Sequence, residues 1–323
     1  MEPIPIPPPP PHYENLEWRH IHPNDLDAVV ALAQDCFQVD GGLGFFFEPD
    51  VIQSRYFPGD SGIAIGAFTP DGNLAACTAV TLVGDPGKER ARMVGQVRPD
   101  LRHQGIGTYL MRWSQAQAQN LLSGIGEASG VIQVATESLT ASAHHLYLAH
   151  GFQSVFEELV MERDLRLPLP DRPFPPDVTI ADWRPDLADQ FFQAYQAAFR
   201  ERPGFPGYSA EEWITRVNED DHKPEWSLLA RVGGVPVGFV NADVDLTSDP
   251  PGGYISQIGV VPGQRRRGIS SALLVESMRR MQVEGALTAL LVVHVNNPGA
   301  ILAYSALGFT TIGRRARYER IAE

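Results

Sequence analysis

The feature that most constrains how this chain folds is that it says the same thing twice. Glu17-Trp18-Arg19-His20-Ile21-His22-Pro23-Asn24-Asp25-Leu26-Asp27 leads into an amphipathic run over 28–37, and Ile180-Ala181-Asp182-Trp183-Arg184-Pro185-Asp186-Leu187-Ala188 leads into a similar run over 189–199. Arg102-His103-Gln104-Gly105-Ile106-Gly107 returns 163 positions later as Arg265-Arg266-Arg267-Gly268-Ile269-Ser270. Tyr147-Leu148-Ala149-His150-Gly151-Phe152 returns after 157 positions as Tyr304-Ser305-Ala306-Leu307-Gly308-Phe309, and Met161-Glu162-Arg163 is echoed by Tyr318-Glu319-Arg320. A near-constant offset over four blocks means two copies of one domain, at a period far too long for a solenoid. The length agrees, since 323 residues exceed what one core usually organises.

Each copy reads as strand, helix, several strands, a glycine turn opening a helix, strand, helix and a closing strand. In copy two the strands are predicted over 227–232, 235–245, 254–260, 288–295 and 309–320, with helices over 270–284 and 300–307. The class is mixed α/β. Five prolines within 165–176 block ladder hydrogen bonds and stiffen the join. The expected division is a proline-rich tail (1–12), a first domain (13–165), a linker (166–176) and a second domain (177–323). The tail, Met1 to Pro11, reads as an extended polyproline-like segment, and docking of a partner there is the alternative to an idle tail.

A formal charge of −13 excludes a protein whose main partner is nucleic acid or an anionic membrane surface. Cys36 and Cys77 stand apart, without metal-ligand or disulfide spacing, so no metal site is expected and a reducing, cytoplasmic setting fits. The longest apolar stretch, 286–295, is about half of a bilayer span. The N-terminus is acidic and proline-rich where a secretory signal is basic and then apolar.

Two glycines at the mouth of a helix invite an anion. The helix start offers unpaired N–H groups and a partial positive charge, and Gly105 and Gly107 remove the Cβ atoms that would hold a pyrophosphate away. The bland alternative is a plain tight turn. Neither the three-glycine dinucleotide fingerprint nor the Gly-Lys-Ser/Thr of a P-loop is present. Each turn follows an apolar strand ending in Val97-Arg98-Pro99 or Val261-Pro262, and each precedes a tyrosine-bearing helix that ends in Gly-Phe.

With these blocks the sequence resembles the GNAT superfamily of acyl-CoA-dependent N-acyltransferases, whose signature is Arg/Gln-x-x-Gly-x-Gly/Ala. Arg102-x-x-Gly105-x-Gly107 satisfies it, and Arg265-x-x-Gly268-x-Ser270 departs at its last position. The resemblance covers both halves and implies two tandem GNAT domains that use acetyl-CoA. It implies that Arg102, Gln104, Gly105, Ile106, Gly107 and Thr108 hold the pyrophosphate in the first copy. In the second that role falls to Arg265, Arg266, Arg267, Gly268, Ile269, Ser270 and Ser271. Backbone N–H groups at Gln96, Val97 and Arg98, and at Ile258, Gly259 and Val260, are the implied partners of the thioester oxygen.

The implied proton donor to the leaving thiolate is Tyr304 in copy two and Tyr147 in copy one. Copy two also carries the family's Asn-x-x-Ala-x-x-x-Tyr, beginning at Asn297, where copy one has Thr140. A carboxamide there offers hydrogen bonds to the pantetheine arm, so copy two is expected to be catalytic and copy one degenerate. His294 is the candidate base, with Glu201, Glu212 and Asp243, or a water relay, as alternatives. The acceptor is expected to be a small-molecule amine, chosen by segments such as 199–208. The alternatives are a non-catalytic acyl-CoA-binding or regulatory protein and a peptide or protein N-acetyltransferase. A monomer built as a pseudo-dimer, or a homodimer, is the expected assembly.

Overall fold

The structure, a computed structural model, describes residues 15–85, 89–126, 130–201, 207–218, 221–245 and 251–322. The proline tail and residues 202–206 of the segment expected to choose the acceptor therefore lie outside the described residues. Ten elements of the first half are repeated in order by ten of the second. The first set is β1 (Glu17–His20), α1 (Leu26–Asp40), α2 (Pro49–Tyr56), β2 (Gly62–Phe68), β3 (Leu74–Val83), β4 (Arg90–Val97), α3 (Ile106–Gly124), β5 (Val131–Thr136), α4 (Ala141–Ala149) and β6 (Gln153–Asp164). The second is β7 (Val178–Asp182), α5 (Ala188–Phe199), α6 (Ala210–Val217), β8 (Leu228–Val232), β9 (Val235–Asp245), β10 (Gly252–Val260), α7 (Ile269–Val283), β11 (Thr288–His294), α8 (Pro298–Ser305) and β12 (Thr310–Ile321). The sequence thus locates the elements of copy two within a few residues, apart from α6, which it does not predict. Residues 168–175, with their prolines, are neither helix nor strand.

By contacts the chain forms two compact units, divided differently from the repeat. One takes the described residues through Leu159 together with those from Ile312 onward, and the other is Val160–Thr311. The closing strand of the second copy therefore completes the sheet of the first unit, whose order is β1-β2-β3-β4-β5-β12. β12 runs antiparallel to β5 from Ala316 opposite Thr136 to Ile321 opposite Val131. In the second unit the order is β6-β11-β10-β9-β8-β7, with Val160–Asp164 contributed by β6.

Alternation along the strands sorts the first unit's core into two layers. On one face Ile106, Leu110, Trp113 and Leu122 of α3 meet Ile132, Val134 and, from β12, Ala316 and the fully buried Tyr318. On the other, Val29, Leu32 and Cys36 of α1 and Ile52 and Tyr56 of α2 cover β2 and β3. In the second unit Phe191, Tyr195, Trp213 and Phe239 build the corresponding layer beneath α5 and α6. On its other face Met281 of α7 lies over Gly253 so closely that a Cβ there would stand 2.5 Å from the sulfur. No helix among the described residues is long and apolar enough to cross a membrane.

Candidate active site

Each glycine turn is built the same way. His103 and Arg266 have φ of 61° and 62°, and Gly105 and Gly268 have 94° and 82°. A left-handed residue other than glycine costs roughly 1–2 kcal/mol. Both turns carry that strain at the same place, as functional loops do. The first helical bonds are Tyr109 N–H to Gly105 O at 3.0 Å and Ala272 N–H to Gly268 O at 2.9 Å. The N–H groups of 106–108 and 269–271 precede them and point out of the helix start. A Cβ at Gly268 would meet nothing within 4 Å, so the space over the turn is open to a phosphate. At Gly107 a Cβ would touch only Leu146 at 3.6 Å and Val97 at 4.0 Å, ordinary contacts that explain why Ser270 fits the same fold.

The signature arginines differ. Arg102 donates through Nε to Val97 O at 3.0 Å, and its two terminal nitrogens grip Asp40 at 2.6 and 2.8 Å. Arg265 makes the same bond to Val260 O at 3.1 Å, but its terminal nitrogen goes to the Ala198 carbonyl at 3.1 Å. Asp40 thus cancels the guanidinium charge in the first loop, while Arg265 bonds two neutral carbonyls. The complete signature at Arg102-x-x-Gly105-x-Gly107 favours the first loop, but this ion pair, which joins residues 62 apart and has no local signature, offsets its charge. Among the neighbours of Arg265, Arg267 pairs with Asp177 at 2.6 Å.

In both units the strand before the turn parts from its parallel neighbour. β4 pairs with β5 from Arg90 only to Met93, and β10 with β11 from Gly253 only to Ile255, where a bulge interrupts β10 before Gln257. Antiparallel pairing alternates, so only every second N–H remains for the gap. Arg98 N–H bonds Ala75 O and Val261 N–H bonds Val237 O, both at 2.9 Å. Counting back, Gly95 and Val97 face the gap in β4, and Ile258 and Val260 face it in β10. Of the expected trio in the first copy, Gln96 and Arg98 are engaged by β3. Gly95, the counterpart of Ile258, takes their place. Gly259 is likewise turned to β9, and its bare Cα admits α5, since a Cβ would lie 2.8 Å from Ala198 and Phe199.

Both tyrosines stand on the helix after the gap. Tyr147 is buried, and burial and the neighbouring Tyr318 push its hydroxyl up to about 12 against a hydrogen bond from Thr136. Its ring lies 5.0 Å from that of Tyr318, whose hydroxyl meets His144 Nδ1 at 2.6 Å. Tyr304 is half-buried, its ring 6.1 Å from Phe309. Asn297 and Thr140 prove equivalent in one respect. The carboxamide oxygen of Asn297 caps α8 by accepting from Ala300 N–H at 3.3 Å, and the Thr140 hydroxyl caps α4 by accepting from Ala143 N–H at 3.1 Å. The threonine is a working substitute for the cap.

The candidate bases fare unevenly. His294 Nδ1 accepts the Asn296 N–H at 3.1 Å, so the lone pair a base needs on that nitrogen is taken, and the neutral ring carries its proton on Nε2. Glu212 closes a capping box on Ser209, whose N–H and hydroxyl hold its carboxyl below the usual range. Asp243 faces the α5–α6 side of β9 and meets the buried His222 at 3.4 Å. Glu201, at the end of α5, is exposed. Among the described residues no cluster of His, Cys, Asp or Glu could hold a metal.

The first unit encloses a cavity of about 290 Å³ that runs from His103, Gly105 and Thr108 along Val94–Val97 to Phe46, Arg55 and Glu137. It joins the anion turn to the face beneath α1 and α2, the path that a long thioester bearing a pyrophosphate requires.

A phosphate-ready helix start, a gap with two inward N–H groups and a phenol beyond it suit direct acyl transfer, and fold and site together define an N-acyltransferase. Comparison with known proteins narrows the class. Residues 183–309 match the acetyltransferase (GNAT) family and residues 65–154 the acetyltransferase (GNAT) domain. A mycothiol acetyltransferase of Thermobispora bispora is 30% identical over 89% of this chain and 93% of that protein. One of Frankia casuarinae is 28% identical over 81% of this chain and 77% of that protein. The solved GCN5-related N-acetyltransferase of Sphaerobacter thermophilus superposes with a TM-score of 0.71 at 24% identity, covering 96% of each chain. The chain belongs to the GNAT acetyltransferase family, with two such domains in tandem, and it is an N-acyltransferase that uses acetyl-CoA.

Proposed function

We propose that the protein transfers the acetyl group of acetyl-CoA to a primary amine of a small molecule, and that the second unit does the chemistry. The observation that carries the choice of unit is the contrast between Arg265, bonded to neutral carbonyls, and Arg102, cancelled by Asp40. The turn at Gly268 and the N–H groups of Ile269, Ser270 and Ser271 hold the pyrophosphate, and Asn297 borders the arm that follows. Acetyl-CoA supplies an activated acyl group; the chain's own residues orient it and manage charge and protons.

As the amine attacks the carbonyl carbon, negative charge develops on the acyl oxygen, where Ile258 and Val260 offer N–H groups in the gap. The amine must attack neutral, so its proton passes, directly or through water, to a carboxylate on the acceptor face, for which Asp243 is the group available. Tyr304 gives its proton to the departing sulfur. Burial pushes the Tyr147 hydroxyl up to about 12, which makes it a weaker acid than an ordinary phenol and a poor proton donor. The acceptor is a mycothiol-type amine, following the name carried by the relatives. The first unit binds the cofactor without efficient turnover.

The test is thiol release with a panel of primary amines. Tyr304→Phe is expected to lower kcat by about 100-fold with KM nearly unchanged, since a positioned proton donor contributes on that order. Tyr147→Phe is expected to leave kcat nearly unchanged. A loss confined to Tyr147→Phe would place the chemistry in the first unit.

A further inference from the structure

On the α2 side of the first unit's sheet, guanidinium groups outnumber the carboxylates that could balance them. Arg92 of β4 sits opposite Gln133 of β5, and Arg317 of β12 sits opposite Ala135 of the same strand. Arg55 of α2 comes from above. Arg55 and Arg315 lie over the Phe46 ring at 4.7 and 4.8 Å, and Arg317 lies over Phe156 at 4.9 Å. Glu137 takes both Arg55, at 2.9 Å, and Arg315, at 3.0 Å, and Glu158 stands 3.8 Å from Arg315. Glu319 is engaged by Gln133 at 2.8 Å and Arg90 at 3.7 Å.

No ion pair within 4 Å joins Arg92 or Arg317 to a carboxylate among the described residues, and the charges that act on Arg92 are those of other arginines. Arg92 is the less comfortable of the two. It is half-buried, and its charge is disfavoured first by desolvation and then by the facing charges of Arg55 and Arg317. Like charges converging in a partly desolvated place are destabilising unless an anion joins them. Guanidinium forks match the paired oxygens of a carboxylate or a phosphate. Arg55 and Glu137 also line the 290 Å³ cavity, so a ligand held here extends toward the gap beside β4.

We propose that Arg92, Arg317 and Arg55 form a binding site in the first unit for a small dianion, a dicarboxylate or a phosphate monoester. Of these three arginines only Arg55 lines the cavity, and none belongs to the helix-start turn. The site is therefore separate from the place where the cofactor's pyrophosphate is held.

Calorimetric titration of the full chain, kept saturated with coenzyme A so that the helix-start turns are filled, tests this. The probes are succinate, phenyl phosphate and the neutral succinamide. One of the two anions is expected to bind once per chain and succinamide not at all, and the tighter anion identifies the carboxylate or the phosphate as the natural group. Arg92→Gln is expected to weaken that binding by about tenfold or more, the worth of a charge-assisted pair. It is also expected to raise the thermal midpoint of the ligand-free chain by removing one of the opposed charges. Arg317→Gln, at an exposed position that does not threaten folding, is expected to weaken binding as well. The proposal is overturned if neither anion binds beside coenzyme A. It is equally overturned if both variants bind as tightly as the parent chain, or if Arg92→Gln lowers the thermal midpoint.

Discussion

Single residues decide which sequence expectations survive contact with the fold. The glycine turn was legible as the mouth of a helix, and its echo in the second half raised it above a plain tight turn. Asp40 was not, because nothing within its own stretch of chain points to Arg102, and only the packing of α1 beside the turn brings the two within 2.6 Å. The same holds for Gly95, which takes its place in the gap from strand register. Burial also sets the acidity of two cavity-lining groups. The Cys36 thiol is pushed up to about 11, mainly by desolvation, and Tyr147 to about 12. Both are neutral in the fold and ionise more readily once unfolded, so the folded state holds more protons and stability falls as pH rises. The stability is fully present below about pH 9 and is lost through about 11 for the thiol, with the phenol following from about 10. Urea midpoints at pH 8 and 10.5 are expected to show a lower value at the higher pH. Iodoacetamide at pH 8 is expected to leave Cys36 unlabelled until urea is added, and rapid labelling of the native chain would contradict the assignment of a buried neutral thiol.

At the level of elements, periodicity located the strands of copy two and its helices other than α6, yet gave no sign of where β12 pairs. Strand order is settled by which open edge a strand meets, and the closing strands of the two copies, which agree in register only at Glu162-Arg163 and Glu319-Arg320, carry no mark of that edge. The structure gives β12 to the first unit, where Tyr318 enters the core beside Tyr147 and Ala316 packs beneath α3. Removing residues 312–323 is therefore expected to damage the first unit. Amide exchange over Val131–Thr136 should accelerate most, while α7 and β9 stay protected. Tyr318→Ala, which empties a fully buried aromatic site, is expected to cost about 3–5 kcal/mol in chemical denaturation. Equal acceleration in both units would mean that β12 is not specific to the first.

Across the whole molecule, two turns of one backbone geometry carry different charge. Coenzyme A is expected to bind at two sites per chain, and raising the salt should weaken the second unit's site more, because Arg265 lacks the carboxylate that Asp40 gives Arg102. Titration at two ionic strengths measures this, and one site per chain, or equal salt slopes, would count against it. The exchanged strand has a further consequence in the order of synthesis. A tandem protein ordinarily folds its first domain while the second is still being made. Here β5 waits with an open edge until residues 310–321 emerge, a delay on the order of ten seconds at ordinary synthesis rates. The half of the chain that is made first is thus the last to be finished, and no nascent fragment that ends before the exchanged strand holds a complete first unit.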